Sequence, residues 1–266
     1  MNMKLNYLAK NKDLIFQLTK REIEVRHKGT RLGHLWSIVT PSLMLCLYFF
    51  VFGLIFGGKF GVLKQENFYD FALTLFIGLS LFNVVAESIN SGPMLIISQP
   101  NFVKKVVFPL EIISISKVLS SIYFCLFSIL LSILLIPFSH SQITLKILYL
   151  PILVIPLVML SLGISWGLAA IGVFYRDFNH TTNFITTLIM YSSAIVYSPK
   201  KLPSNIFAIL KYNPLLIIID SVRNSLLWNM NINIYSIIYI YTSSLFVLLA
   251  GWYLFNKLRP YFAEVL

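Results

Sequence analysis

Charge is scarce in this chain. Of its 266 residues, 12% are Asp, Glu, Lys or Arg, against 58% hydrophobic, whereas a soluble domain carries roughly 25% charged residues. That deficit excludes an ordinary soluble fold and identifies a polytopic membrane protein. Acids are the scarcer sign: ten Asp and Glu face twenty-one Lys and Arg, for a net charge of +11. No two carboxylates fall on one face of one apolar run, so a paired acid and base for catalysis is missing. An ion-coupled carrier working alone would carry ionisable residues deep in several spans, and only Glu87, Glu111 and Lys117 come near. The four histidines, His27, His34, His140 and His180, are scattered without metal-ligand spacing. The two cysteines, Cys46 and Cys125, both lie in apolar runs and read as packing residues, uninformative about redox compartment. No cleavable signal peptide is recognisable, because the first apolar run follows a long charged segment; the first span must itself direct insertion. No internal repeat is visible, so the inverted halves of many secondary carriers are absent. Residues 53–60, G-L-I-F-G-G-K-F, nearly spell a phosphate loop, but Phe60 stands where a magnesium-binding hydroxyl is needed. Extramembranous segments are too short for a soluble catalytic domain. An integral membrane enzyme would need clustered acid, base or metal residues.

What is present is organised around residues 26–41, R-H-K-G-T-R-L-G-H-L-W-S-I-V-T-P. Cations, then an interfacial Trp36, then a long apolar run mark a helix entering a bilayer from the cytoplasm. Before it, residues 1–34 carry eight Lys and Arg. Lys10, Asp13, Gln17, Lys20, Glu24 and Lys28 recur every three or four positions, with Leu8, Ile15, Leu18 and Val25 on the other side. This is the pattern of a cytoplasmic amphipathic helix lying in the interface. Six spans follow, over residues 35–57, 71–89, 112–137, 147–174, 178–197 and 234–255. Residues 206–228 are apolar but interrupted by Lys211, Asn213, Pro214, Asp220 and Arg223. A mid-bilayer charge costs about 2.5–3.5 kcal/mol, so two short re-entrant helices broken at Asn213 and Pro214 are expected there. With the N-terminus inside, cytoplasmic segments hold thirteen Lys and Arg and outer segments seven, which places both termini in the cytoplasm. The basic residues flank spans, so they set topology and meet anionic membrane lipids; no nucleic-acid partner is implied.

Residues 91–109, S-G-P-M-L-I-I-S-Q-P-N-F-V-K-K-V-V-F-P, join the second and third spans on the inside. Their prolines, apolar centre and Lys104–Lys105 pair suggest a short structured helix, either a docking element or a lipid-facing connector. Gly163 and Gly167 form a G-x-x-x-G that permits close helix approach, within the chain or between copies. Aromatics make up 15% of residues. Tyr48, Phe82, Tyr191 and Tyr197 sit at membrane depth or near the outer edge, where rings could line a path for sugars or simply pack.

Several of these stretches resemble the ABC-2 type permeases that export polysaccharides. The similarity runs through residues 26–41, K-K-V-V-F-P-L-E at 104–111, F-Y-R-D at 174–177, A-I-V-Y-S-P-K-K-L-P at 194–203, Y-N-P-L at 212–215 and Arg223, in family order. Ser193 and Ala194 depart from it, since many relatives carry a proline there. The resemblance implies an all-α integral membrane domain over residues 35–266, and a homodimer bound to two copies of a cytoplasmic ATP-binding cassette subunit. That subunit, not this chain, would hold ATP and magnesium; no cofactor, metal or catalytic residue is expected here. The expected cargo is a lipid-linked polysaccharide leaving through the bacterial inner membrane: O-antigen, with capsule or teichoic acid as alternatives. Arg26, Lys28 and Arg31, clustered at the first span, are expected at the lipid-phosphate entry; Gln99, Lys104, Lys105, Glu111 and Arg176, on the inner link and in the stretches that resemble the family's cytoplasmic coupling region, are expected at the ATPase contact. Tyr48, Phe82, Tyr191 and Tyr197 are expected, from their depth, to line the channel, and Asn213, Pro214, Asp220 and Arg223 to lie in the re-entrant helices.

Overall fold

A computed structural model describes residues 11–55, 60–62, 66–104, 108–141, 144–199 and 202–266, and among them the chain is helical with no strand. Helix α1 (Lys12–His27) precedes the first span, which is α2 (Trp36–Tyr48) prolonged by a π-helical stretch, Phe49–Ile55. Then come α3 (Phe68–Ser91), the short α4 (Pro100–Lys104), α5 (Glu111–Leu135), α6 (Leu150–Phe174) and α7 (Phe178–Ser192). Helices α8 (Ser204–Leu210), α9 (Pro214–Leu226), α10 (Ile234–Leu258) and the terminal α11 (Phe262–Val265) complete the chain. Five described helices are long and apolar enough to cross a membrane, and α8 with α9 would make a sixth if that bent pair is one span.

Two expectations shift here. The fifth span was expected over residues 178–197, but α7 stops at Ser192 and the chain turns through Ser193 and Ala194. Its 15 residues reach only about 22 Å at 1.5 Å per residue, short of a hydrocarbon core of about 30 Å. The apolar side of α1 also differs. Val25 is exposed, while Glu22 and Arg26 turn toward α5 and α3, where they form ion pairs with Lys117 and Glu87. The expected break at Asn213 and Pro214 is present: α8 and α9 meet at 97°. Asn213 caps α9 by accepting from Leu215 N at 3.0 Å, and Pro214, with no N–H to lose, occupies the first turn.

Helix α3 is the central post. It begins with a capping box: Asn67 Oδ1 accepts from Asp70 N at 3.0 Å, and Asp70 Oδ2 accepts from Asn67 N at 2.9 Å. Asp70 Oδ1 also accepts from His140 N at 3.0 Å, tying the far ends of α3 and α5 together. The main core lies where α3, α5, α6 and α9 meet, around Ile77, Leu81, Ile129, Leu153, Ile218 and Val222. Serines let α5 approach its neighbours; Ser128 and Ser132 donate to carbonyls one turn back, so their hydroxyls are satisfied within the helix. Helices α6 and α10 run in the same direction and pack backbone to backbone. Gly163 packs on the backbone of Val247 and Leu248, and Gly251 on Gly163, with no room for a Cβ at either. The G-x-x-x-G of α6 is therefore an intrachain packing motif.

Candidate functional site

A cleft of about 760 Å³ opens between the end of α1, the first span, α3 and α5. Its walls alternate rings and polar groups: Trp36, Tyr48, Phe76 and Phe124, with Ser37, Thr40, Asn83, Glu87, Asn90 and Ser128. Helix α3 explains the polarity. It is buried over most of its length, yet Asn83 and Asn90 are exposed and Glu87 half-buried. These three lie at i, i+4 and i+7, one stripe of a helix, and that stripe faces the cleft. Beyond it, Thr186 of α7 donates to Asn90 Oδ1 at 2.8 Å, so α7 borders the same polar surface.

The mouth of the cleft holds a charge network. Glu87 Oε1 pairs with Arg26 and lies 3.1 Å from Lys117 Nζ; Glu87 Oε2 accepts from Ser121 at 2.7 Å. Lys117 reaches Glu22 at 3.4 Å. Arg26 also stacks over Phe124, 4.3 Å from its centroid. Burial pushes the Arg26 guanidinium below its ordinary pKa, and Glu22 raises it again in part. His27, 3.2 Å from Ser37 Oγ, is also lowered, by burial first and then by His34 and Arg26. The three cations assigned to phosphate entry are thus not equivalent. Arg26 is in the cleft and paired, while Lys28 and Arg31 are exposed on the link to the first span and make no ion pair among the described residues.

Of the residues expected to line a channel, Tyr48 lines the cleft, Tyr191 is exposed on α7, and Tyr197 donates to the Tyr191 carbonyl. Phe82 does not line it. It is 4% exposed and packed in the main core, because it points about 100° around α3 from Asn83, the residue that faces the opening.

At the end of the molecule that holds α1, residues assigned to coupling gather beside the C-terminal helix. Gly172 of α6 lies against Pro93 with no space for a side chain. This brings the link bearing Gln99 (half-buried) and Lys104 (exposed) to the end of α6, where Tyr175, Arg176 and Asp177 are exposed. Lys105 lies outside the described residues. Glu111, expected among the coupling residues, lies beneath this surface. It is buried, 3.0 Å from Arg259 Nη1, and its carbonyl accepts from Trp166 Nε1 at 3.2 Å. Its carboxylate faces inward to neutralise Arg259, so it fixes the C-terminal segment.

At the opposite end Arg223 is wholly buried. Its guanidinium donates to the carbonyls of Thr74 at 3.1 Å, Ala194 at 3.3 Å and Ile195 at 2.9 Å, and lies 3.4 Å from Asp220 Oδ1. One face stacks on Phe60 at 4.8 Å. The planar fork suits a site where several carbonyls converge. Asn213 meanwhile donates to Ser192 O at 3.2 Å, fastening the bend of the hairpin to the end of α7.

Residues 13–227 match the ABC-2 type transporter family. The chain belongs to that family. With its long apolar helices, this ABC-2 chain is a multi-pass membrane protein. It is 28% identical over 267 residues to the O-antigen export system permease protein RfbA of Klebsiella pneumoniae, covering 100% of this chain and 98% of that one. The protein of the same name from Myxococcus xanthus is 26% identical, over 71% of this chain and 70% of its own. The polysialic acid transport protein KpsM of Escherichia coli is 25% identical, over 78% of each.

Sequence alone gives no role to Asn83, Asn90 and Thr186 of this ABC-2 chain, and marks Glu87 and Lys117 only as ionisable residues that come near span depth. The available signal was the i, i+4, i+7 spacing of Asn83, Glu87 and Asn90 within an otherwise apolar helix. Thr186 carried none, because its contact with Asn90 spans 96 residues.

Proposed function

We propose that this chain is the membrane-spanning permease of an ABC exporter that moves a lipid-linked polysaccharide of the O-antigen class across the bacterial cytoplasmic membrane. The carrying observation is the polar stripe Asn83, Glu87 and Asn90 on the most deeply buried span. Polar side chains at membrane depth face a bundle interior, a water-filled path or a polar cargo. Amides and hydroxyls exchange hydrogen bonds with sugar hydroxyls, while the Trp36 and Tyr48 rings offer flat apolar faces to sugar C–H groups. Many weak contacts of this kind suit a long glycan that must slide and not lodge. The O-antigen class is favoured because relatives of that name align over the whole chain, and the polysialic acid transport protein over 78% of it.

Two copies, meeting across the poorly buried first span and the exposed side of α7, close the cleft into a channel. Both termini lie in the cytoplasm. A separate ATPase subunit, holding ATP and magnesium, meets the surface around Gln99, Lys104, Lys105 and Arg176, with Glu111 bracing it through Arg259. Arg26, Lys28 and Arg31 receive the lipid phosphate at the cytoplasmic mouth. The α8–α9 hairpin, held by Asn213, Pro214, Asp220 and Arg223, closes the outer end. The test is export in cells that lack this permease. The wild-type chain with its ATPase restores surface polysaccharide, and the Asn83→Leu/Asn90→Leu double variant assembles with the ATPase but exports several-fold less. Wild-type export by the double variant, or transport by this chain alone in ATP-free vesicles, overturns the reading.

A further inference from the structure

Glu87 sits where two cations meet. Its Oε1 takes Arg26 from α1 and Lys117 from α5, the latter at 3.1 Å, and its Oε2 accepts from Ser121 at 2.7 Å. The charged side chains are between a fifth and a third exposed, at the mouth of a cleft open to ligand. An arginine, a lysine and a hydroxyl converging on one anion make the donor set that a phosphate ester takes. Here the protein supplies that anion itself. Lys117 keeps a second carboxylate, Glu22, at 3.4 Å, so Glu87 can leave without stranding Lys117. Without Glu87 the empty cleft would hold an under-compensated Arg26 beside Lys117 at the membrane boundary, and any bound anion would be slow to leave.

We propose that Glu87 is an internal stand-in for a ligand's phosphate. A phosphate or pyrophosphate ester entering the cleft displaces the Glu87 carboxylate from Arg26 and Lys117, and the return of the carboxylate expels it. The inference deepens the export reading and rests on it for the identity of the cargo, but its test is a binding measurement that stands apart from export.

The complex of this chain with its ATPase, in phosphatidylcholine nanodiscs, is titrated with farnesyl pyrophosphate, with farnesol as the uncharged control. Glu87→Gln keeps the shape of the side chain and removes its charge. It should bind farnesyl pyrophosphate about tenfold more tightly than wild type, the factor that about 1.4 kcal/mol represents, with farnesol unchanged. Adding Lys117→Gln to that variant should abolish the gain. Gel filtration with the ATPase establishes that each variant is assembled. Repeating the titration with phosphatidylglycerol in the disc separates the two sources of phosphate. A gain that persists assigns the site to the pyrophosphate of the cargo; one competed away assigns it to a lipid headgroup; either supports the exchange. An assembled Glu87→Gln complex that binds no more tightly, or that tightens for farnesol equally, overturns it. Wild-type export in cells alongside such a result would sink this inference alone, and tighter binding without any export would sink only the export reading.

Discussion

Replacing Arg223 by Met removes the donors that hold the outer end together and leaves most of the side-chain volume in place. Of the three carbonyls it serves, Thr74 O lies within α3 and keeps a place in the helical ladder, whereas Ala194 O and Ile195 O lie in the turn after α7. A buried polar group stripped of its partner costs about 1–3 kcal/mol, so the two orphans together cost about 2–6 kcal/mol. Relief of the guanidinium's own desolvation offsets part of that, which puts the expected loss in the lower half of the range. For a chain of this size about 2–4 °C of melting temperature accompanies each kcal/mol, so the midpoint should fall by at least about 4 °C. Tryptophan fluorescence on heating the purified complex reads the midpoint, and Trp228, 5.6 Å from Phe60, the ring on which Arg223 stacks, is the one of this chain's four tryptophans placed beside the site. Arg223→Lys should fall between the two, since a single ammonium cannot span both carbonyls as a planar fork does. A Met variant that melts with wild type would refute the claim that these hydrogen bonds hold the hairpin and the end of α7 to α3.

Two further outcomes follow from packing and charge. Gly251→Ala should destabilise the α6–α10 pair by about 1–3 kcal/mol, since its Cβ would lie 2.9 Å from Gly163 Cα; Gly167→Ala, whose Cβ meets only Gly251 Cα at 3.8 Å, should be near neutral. Thermal denaturation of the two variants side by side checks this, and equal midpoints would contradict it. His27 has its pKa lowered by burial and by the charges of His34 and Arg26, so between its folded value and the ordinary value of about 6.5 the unfolded chain binds more protons. Its contribution to stability is therefore intact above that window and lost as pH falls through it. The melting temperature should decline over that interval, less so in His27→Asn; an identical pH profile in both would count against it.

Much of the fold was legible because the bilayer restricts the choices. A chain this apolar, with cations at the ends of its apolar runs, can bury its backbone polar groups only in helices, and five of the six expected spans appear as long helices at nearly the expected places. The break at Asn213 and Pro214 was equally readable, because proline and a capping amide have local effects. The length of α7 was not. Its apolar run continues to Tyr197, but the residues after Ser192 give up the helix for contacts with α9, which no local pattern announces.

The candidate site divides in the same way. Arg26, Tyr48 and the basic entry to the first span could be picked out from composition and position, since charge and rings near a membrane boundary have few uses. Sequence determined that this is a helical membrane chain whose cations cluster at one end. Tertiary structure alone decided which face of each helix opens: Asn83 and not Phe82, Glu22 and not Val25. It also decided that Glu111 is committed to Arg259 and Glu87 to Arg26 and Lys117. An ion pair or a polar contact between residues tens of positions apart depends on the rotation and height of whole helices, and glycine contacts such as Gly163 with Gly251 help to set these: the G-x-x-x-G spacing marks a close approach in the sequence, but only the folded chain names the partner helix.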